Sequence, residues 1–106
     1  MEHVVDLAYL NDISGGNELV RNKFLQVVKV EFPQEKAAYF ELMKSKKNKE
    51  AAELVHKIKN KFGILGLNNG YQIAVDYEEG LKVEDYSLKT NFETVLTVVS
   101  NYIQKI

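Results

Sequence analysis

The chain has 106 residues, 45% of them hydrophobic and 27% charged, and a formal charge of -1 from 14 Lys+Arg against 15 Asp+Glu. Independent domains need about 50 residues or more, so this length supports one domain with a real core and excludes two; the charge balance is that of a globular protein, with no overall basic field for nucleic acid. Cysteine is absent, which excludes disulfides, thiolate zinc sites, Fe–S clusters and a cysteine nucleophile together.

Near the amino terminus, Glu2 and Asp6 interrupt the sequence and no apolar run leads to a small-residue cleavage site. No apolar run reaches the roughly 18 residues of a membrane span, so the expected location is the cytoplasm and no membrane partner is expected. One proline and six glycines are too few for a chain of short strands, whose turns recur every ~8–12 residues. The expectation is all-helical. Val4 to Leu10 reads as a short lead-in helix with Val4, Leu7 and Ala8 on one side, closed by Asn11-Asp12 and Ser14-Gly15-Gly16. From about Asn17 to Lys44 the helical spacing of Val20, Phe24, Val27, Val28 and Glu31, resumed by Ala38 and Leu42, predicts one long helix. Pro33 has no N–H for the Lys29 carbonyl, which predicts a bend or a split there.

After the polar connection Ser45 to Asn48, the stripe Ala51, Leu54, Val55, Ile58, Phe62, Leu65 predicts a second main helix from Lys49 to near Gly66. Asn68 is placed to cap a third, carrying Tyr71, Ala74, Tyr77 and Leu81 as core positions. Lys82 to Lys89 is the longest connection. Thr90-Asn91-Phe92-Glu93 has the form of a capping box, and the stripe Phe92, Val95, Leu96, Val99, Tyr102, Ile103, Ile106 predicts the last helix. Four amphipathic helices joined by short loops predict an antiparallel up-down four-helix bundle with a short extra N-terminal helix, one domain over residues 1–106.

One residue stands out chemically. His56 lies in the second main helix between the core positions Val55 and Ile58, yet its own place on the wheel faces away from the stripe, among Ala52, Glu53, Lys59, Asn60 and Gly63. It is predicted to face solvent. A neutral imidazole near pH 7 has a free ring nitrogen and can act as a nucleophile. Toward a phosphoryl group it needs positive charge nearby, which Lys59, one turn on, can supply. The small residues Ala52 and Gly63 would let another protein come close. Glu53 either orients the second ring nitrogen or stays solvated.

The run from His56 through Lys59 to Leu65-Gly66 resembles the signature of histidine-containing phosphotransfer domains of two-component phosphorelays, roughly A-H-x-[LI]-K-G-x-x-x-x-[LIV]-G. His56, Ile58, Lys59, Leu65 and Gly66 fall on its pattern. Leu10 with Ser14-Gly15-Gly16 ahead of a long helix resembles the amino-terminal half of that family, and Tyr77-Glu78 resembles its aliphatic-Glu pair. Five positions depart: Asn60 stands for the usual glycine, Lys61 and Phe62 for small residues, Val55 for alanine, and Gly70 for a common leucine. Asn60 bears most on the site, because it lies on the histidine face and can narrow the approach of a partner or bond the ring.

The resemblance implies a phosphocarrier that is not itself an enzyme. His56 would accept a phosphoryl group through Nε2 from the aspartyl phosphate of a receiver domain and pass it to another receiver. A hybrid sensor histidine kinase is a further possible partner. Magnesium would sit on the receiver, no cofactor on this chain, and a monomer is expected. Between Lys44 and Lys61, seven lysines stand against Glu50 and Glu53, a local basic face suited to an acidic receiver pocket. No aromatic residue alternates with these lysines to stack bases, which argues against nucleic acid. His3 is expected to be exposed and idle, and the spacing of the two histidines, with no H-E-x-x-H sequence, argues against a metal enzyme. The alternative is a degenerate module that binds a receiver or kinase and is never phosphorylated, with Asn60 and Lys61 altering the approach.

Overall fold

The buried positions repeat at helical spacing along almost the whole chain, and the computed structural model, which describes residues 3–106, is accordingly all-helical. Its helices are α1 (Ala8–Ile13), α2 (Glu18–Lys44), α3 (Asn48–Ile64), α4 (Asn68–Leu81) and α5 (Lys89–Gln104), with no strand among the described residues. α3 packs along both α2 and α4, and α5 closes mainly against α4. The 27 residues of α2 set the long axis of 42 Å, as expected at 1.5 Å per residue. No helix among the described residues is long and apolar enough to cross a membrane.

The lead-in helix starts later than its pattern suggests. Residues 3–7 are non-helical, and Asp6 anchors them twice: its Oδ1 accepts from the Ala8 N–H at 2.9 Å, and its own N–H donates to the Leu65 carbonyl at 2.9 Å. α1 then runs through Asn11-Asp12, and the turn falls on Gly15 and Gly16, both at positive φ. Asn17, the approximate predicted start of the long helix, caps α2, accepting from Leu19 N and Val20 N at 2.9 and 3.2 Å.

α2 passes Pro33 without a break. Pro33 is exposed, whereas Phe32 and Tyr39 beside it are fully buried. An interior proline costs about 3 kcal/mol, and each of these side chains returns roughly 2–3 kcal/mol on burial. Val28 and Leu42 of the predicted stripe pack in the core, but Val20 and Val27 are exposed, and the inward side also takes Leu25, Phe32, Glu35, Tyr39 and Met43. The polar Glu35 on that side, and valines on the outer face, hid the inward placing of Phe32 and Tyr39. The carboxylates of Glu35 and Glu31 both accept from Lys61 Nζ, at 2.9 and 2.7 Å. Lys61 is thus a buried residue of α3, 8% exposed. Burial opposes its charge, but the bonds to Glu31 and Glu35 outweigh that and raise its pKa.

α3 buries Ala51, Val55, Ile58 and Phe62 as predicted, with Leu65 just beyond it. Gly66 then turns the chain at φ 69°, and a Cβ there would overlap the Asp6 carbonyl. Asn68 is the first residue of α4 rather than its cap; Leu67 occupies that position and offers no side-chain bond. Tyr71 is not a core residue but 37% exposed, and Gly70 is buried instead. A Cβ at Gly70 would lie 2.8 Å from Val95 Cγ1, so α5 occupies the space a leucine would need.

The capping box of the last helix does not form. α5 begins at Lys89 with Leu88 before it, which puts Thr90 inside the first turn. Glu93 instead reaches across the core, where its Oε2 accepts from Tyr39 Oη at 2.9 Å. Tyr39 and Tyr77 share a 2.7 Å hydrogen bond, and both rings pack on Phe92. Burial pushes the Tyr77 phenol up to about 12, and that of Tyr39 further still.

Candidate functional site

The core stripe of α3 aims His56. Val55 and Ile58 are fully buried, which fixes the rotation of the helix and leaves the imidazole outside with 57% of its side chain exposed. α4 supplies the partner in the same way. Tyr77 is anchored in the core, and the next residue, Glu78, is held at the α3–α4 seam with 16% of its side chain exposed. His56 Nδ1 lies 3.1 Å from Glu78 Oε1 and 3.2 Å from Oε2.

Lys59 completes a cluster with these two. Its Nζ is 3.5 Å from Glu78 Oε1 and 3.2 Å from His56 Nδ1, and it stands 5.7 Å from the centroid of the Tyr71 ring. Sequence reasoning made Lys59 an exposed residue; its side chain is only 12% exposed, because Glu78 and Tyr71 enclose the ammonium. A carboxylate can only accept and an ammonium can only donate. When Nδ1 carries the hydrogen it donates to Glu78, and Lys59 then bonds Glu78 at 3.5 Å and not the ring, its 3.2 Å approach to Nδ1 being a contact between two donors. Nε2 is then the nitrogen with a free lone pair.

Glu53 is exposed and is not the group bonded to the ring; Glu78, from the next helix, takes that role. Ala52 is 1% exposed and therefore no contact surface. It lines, with Lys49, Glu53, His56, Lys57, Glu78 and Lys82, a groove between α3 and α4. Asn60 and Gly63 belong to a second depression further along α3, shared with Tyr9, Ile13, Phe24 and Tyr71. Asn60 is exposed there and is not among the partners of Nδ1. The open side of Gly63 is occupied by the Tyr71 ring, whose Cδ2 would lie 3.4 Å from a Cβ at that position.

The basic face is smaller than the lysine count suggests. Lys61 points across to α2 and is neutralised there, and Lys59 is paired with Glu78. Lys49 and Lys57 remain beside the histidine, joined by Lys82 of α4, which pairs with Glu79 at 2.8 Å and lies 4.0 Å from Glu78. His3 is half-buried rather than exposed and lines a surface depression with Val98 and Tyr102. Among the described residues, no group of three or more His, Asp or Glu side chains is placed to hold a metal ion.

Glu78, Lys82 and Tyr71 are the site residues that helix patterns missed. Tyr77 at a core position was the available signal for Glu78, since the residue after it must lie at the edge of the helix interface. Comparison with known protein families, characterised proteins and solved structures gives no match to this chain.

Proposed function

We propose that the protein is a histidine phosphocarrier of the phosphotransfer-domain type, relaying a phosphoryl group between aspartates of receiver domains. The observation that carries this reading is an exposed imidazole whose Nδ1 is engaged by a largely buried carboxylate, leaving Nε2 for chemistry. In this reading α2 to α5 form an antiparallel up-down bundle, consistent with the short connections at 45–47, 65–67 and 82–88.

The Nε2 lone pair attacks the phosphorus of a receiver aspartyl phosphate. The N–P bond forms as the P–O bond to the aspartate breaks, and the receiver carboxylate leaves with the electron pair. Positive charge that develops on the imidazole is stabilised through Nδ1–H by Glu78. Lys59 has a flexible four-carbon stem, so its ammonium can turn from Glu78 toward the phosphoryl oxygens. Attack by the aspartate of a second receiver on the phosphoramidate reverses the step. Magnesium is supplied by the receiver, and Lys49, Lys57 and Lys82 face its acidic pocket during encounter. A receiver borne by a hybrid sensor kinase presents the same chemistry.

Incubation with a phosphorylated receiver should label the chain with phosphate that is labile in acid and stable in base, and His56→Ala should abolish the label. Labelling that survives His56→Ala refutes the assignment. Binding of a receiver without any label supports the degenerate binding module instead, and Asn60→Gly then tests whether position 60 is responsible.

A further inference from the structure

We infer that Tyr71 is a positioning residue that holds Lys59 at the His56–Glu78 pair. Its role in transfer rests on the phosphocarrier reading; the placement of Lys59 does not. Tyr71 lies in the first turn of α4, facing α3. Lys59 and Gly63 are one helical turn apart on α3, and the Tyr71 ring spans that turn. One edge lies against Gly63, and the Lys59 ammonium stands 5.7 Å from the ring centroid.

Glu78 alone does not explain why Lys59 is so well covered. That carboxylate receives Nδ1 of His56 at 3.1 Å and has Lys82 Nζ at 4.0 Å as a competing cation. A long lysine side chain loses much rotamer freedom when held, and an ion pair at a helix surface seldom compensates fully. The aromatic face adds an attraction that Lys82 does not receive. Lys59 accordingly has 12% of its side chain exposed, whereas Lys82 has 50%. In this arrangement the cation nearest the histidine is selected by an aromatic side chain from a different helix.

The test uses the full chain and reads Lys59 directly. In the NMR spectrum of the unmodified protein, the Lys59 ε-methylene protons should be displaced upfield by the Tyr71 ring current. Acetylation of individual lysines, followed by mass spectrometry, should show Lys59 modified more slowly than Lys57. Tyr71→Leu should remove the upfield displacement and raise Lys59 acetylation about two- to fivefold, the protection expected of a partly exposed cation–π contact. Tyr71→Phe, which keeps the ring, should retain both signatures. In phosphotransfer, Tyr71→Leu should slow the reaction less than Lys59→Met, which removes the charge itself, and the double variant should be no slower than Lys59→Met. An unshifted Lys59 signal in the unmodified protein overturns the proposal without recourse to any variant, and so does Lys59 acetylation unchanged in a folded Tyr71→Leu. Protected Lys59 in a chain that never accepts phosphate would sink the phosphocarrier reading and leave the Tyr71 assignment standing.

Discussion

Glu78→Gln isolates the charge of the carboxylate from its shape. The amide oxygen can still accept from His56 Nδ1 at a seam where only 16% of the side chain is exposed, and Lys59 loses its carboxylate partner at the same time. Hydrogen bonds to a charged group contribute about 1.5–3 kcal/mol and neutral ones about half as much. The substitution should therefore cost roughly 1–1.5 kcal/mol in the transition state, where the imidazole carries positive charge. That is about a 5- to 15-fold slower transfer. Single-turnover transfer from a phosphorylated receiver, followed by quenched gels, measures it directly, and thermal unfolding confirms an intact fold. Glu53→Gln, on the exposed side, is the control and should leave the rate within about twofold. Equal rates for Glu78→Gln and the native chain would mean that the Nδ1 contact plays no part in charge stabilisation, and the mechanism given for the ring would fail.

Lys61→Met leaves Glu35, with 15% of its side chain exposed, without its cation, and Glu31, at 53%, partly compensated by water. The expected loss is about 2–3 kcal/mol, below the ~3–5 kcal/mol of a fully buried broken pair, with a Tm drop near 10 °C; adding Glu35→Leu should restore most of it, and a single variant as stable as the native chain would contradict the pairing. Gly70→Ala drives a methyl group to 2.8 Å from Val95 Cγ1. Overpacking of about 1–3 kcal/mol should exceed the helix-propensity gain of ~1 kcal/mol, and a higher urea midpoint for this variant would be the contrary result. In alkali, the unfolded chain ionises its tyrosines from about pH 10 while native Tyr77 resists to about 12. The native state then binds more protons than the unfolded one, so stability falls as pH rises through this window, by at most about 3 kcal/mol for this group. Tyr39 and Lys61, both raised, act in the same direction. Urea midpoints at about pH 8, 10 and 11.5 check the decline, and Tyr77→Phe should flatten it.

The helices of this chain are legible in its sequence because most of them keep apolar residues on one side only. α3 and α5 do so, and their buried residues follow the periodicity except at Ala52 and Lys61, which are buried outside the predicted stripe, while the stripe's last residue, Ile106, is exposed. α2 does not: exposed Val20 and Val27 compete with the true line, which contains Glu35, and only the Lys61 opposite explains why a carboxylate belongs there. Local cap rules failed at Asn68 and Thr90 for a tertiary reason, since Glu93, the would-be partner of Thr90, bonds Tyr39 on another helix. At the candidate site, the outward direction of His56 follows from its neighbours on α3 alone. Glu78 and Tyr71 come from α4, and no spacing within α3 can reveal which residues of the next helix will face it. The error on Lys59 has the same origin, because its exposure depended on two side chains that a helical wheel does not contain.

Gly66 carries a consequence for the ancestry of chains built on this plan. The backbone of Asp6 crosses where a Cβ at position 66 would stand, and its N–H is tied to the carbonyl just before it. Exchanging this glycine therefore evicts the segment ahead of α1, whereas rerouting that segment relieves the overlap but leaves the left-handed backbone, which still favours glycine. Loss of the leading segment should thus relax position 66 only as far as residues that tolerate positive φ, such as asparagine.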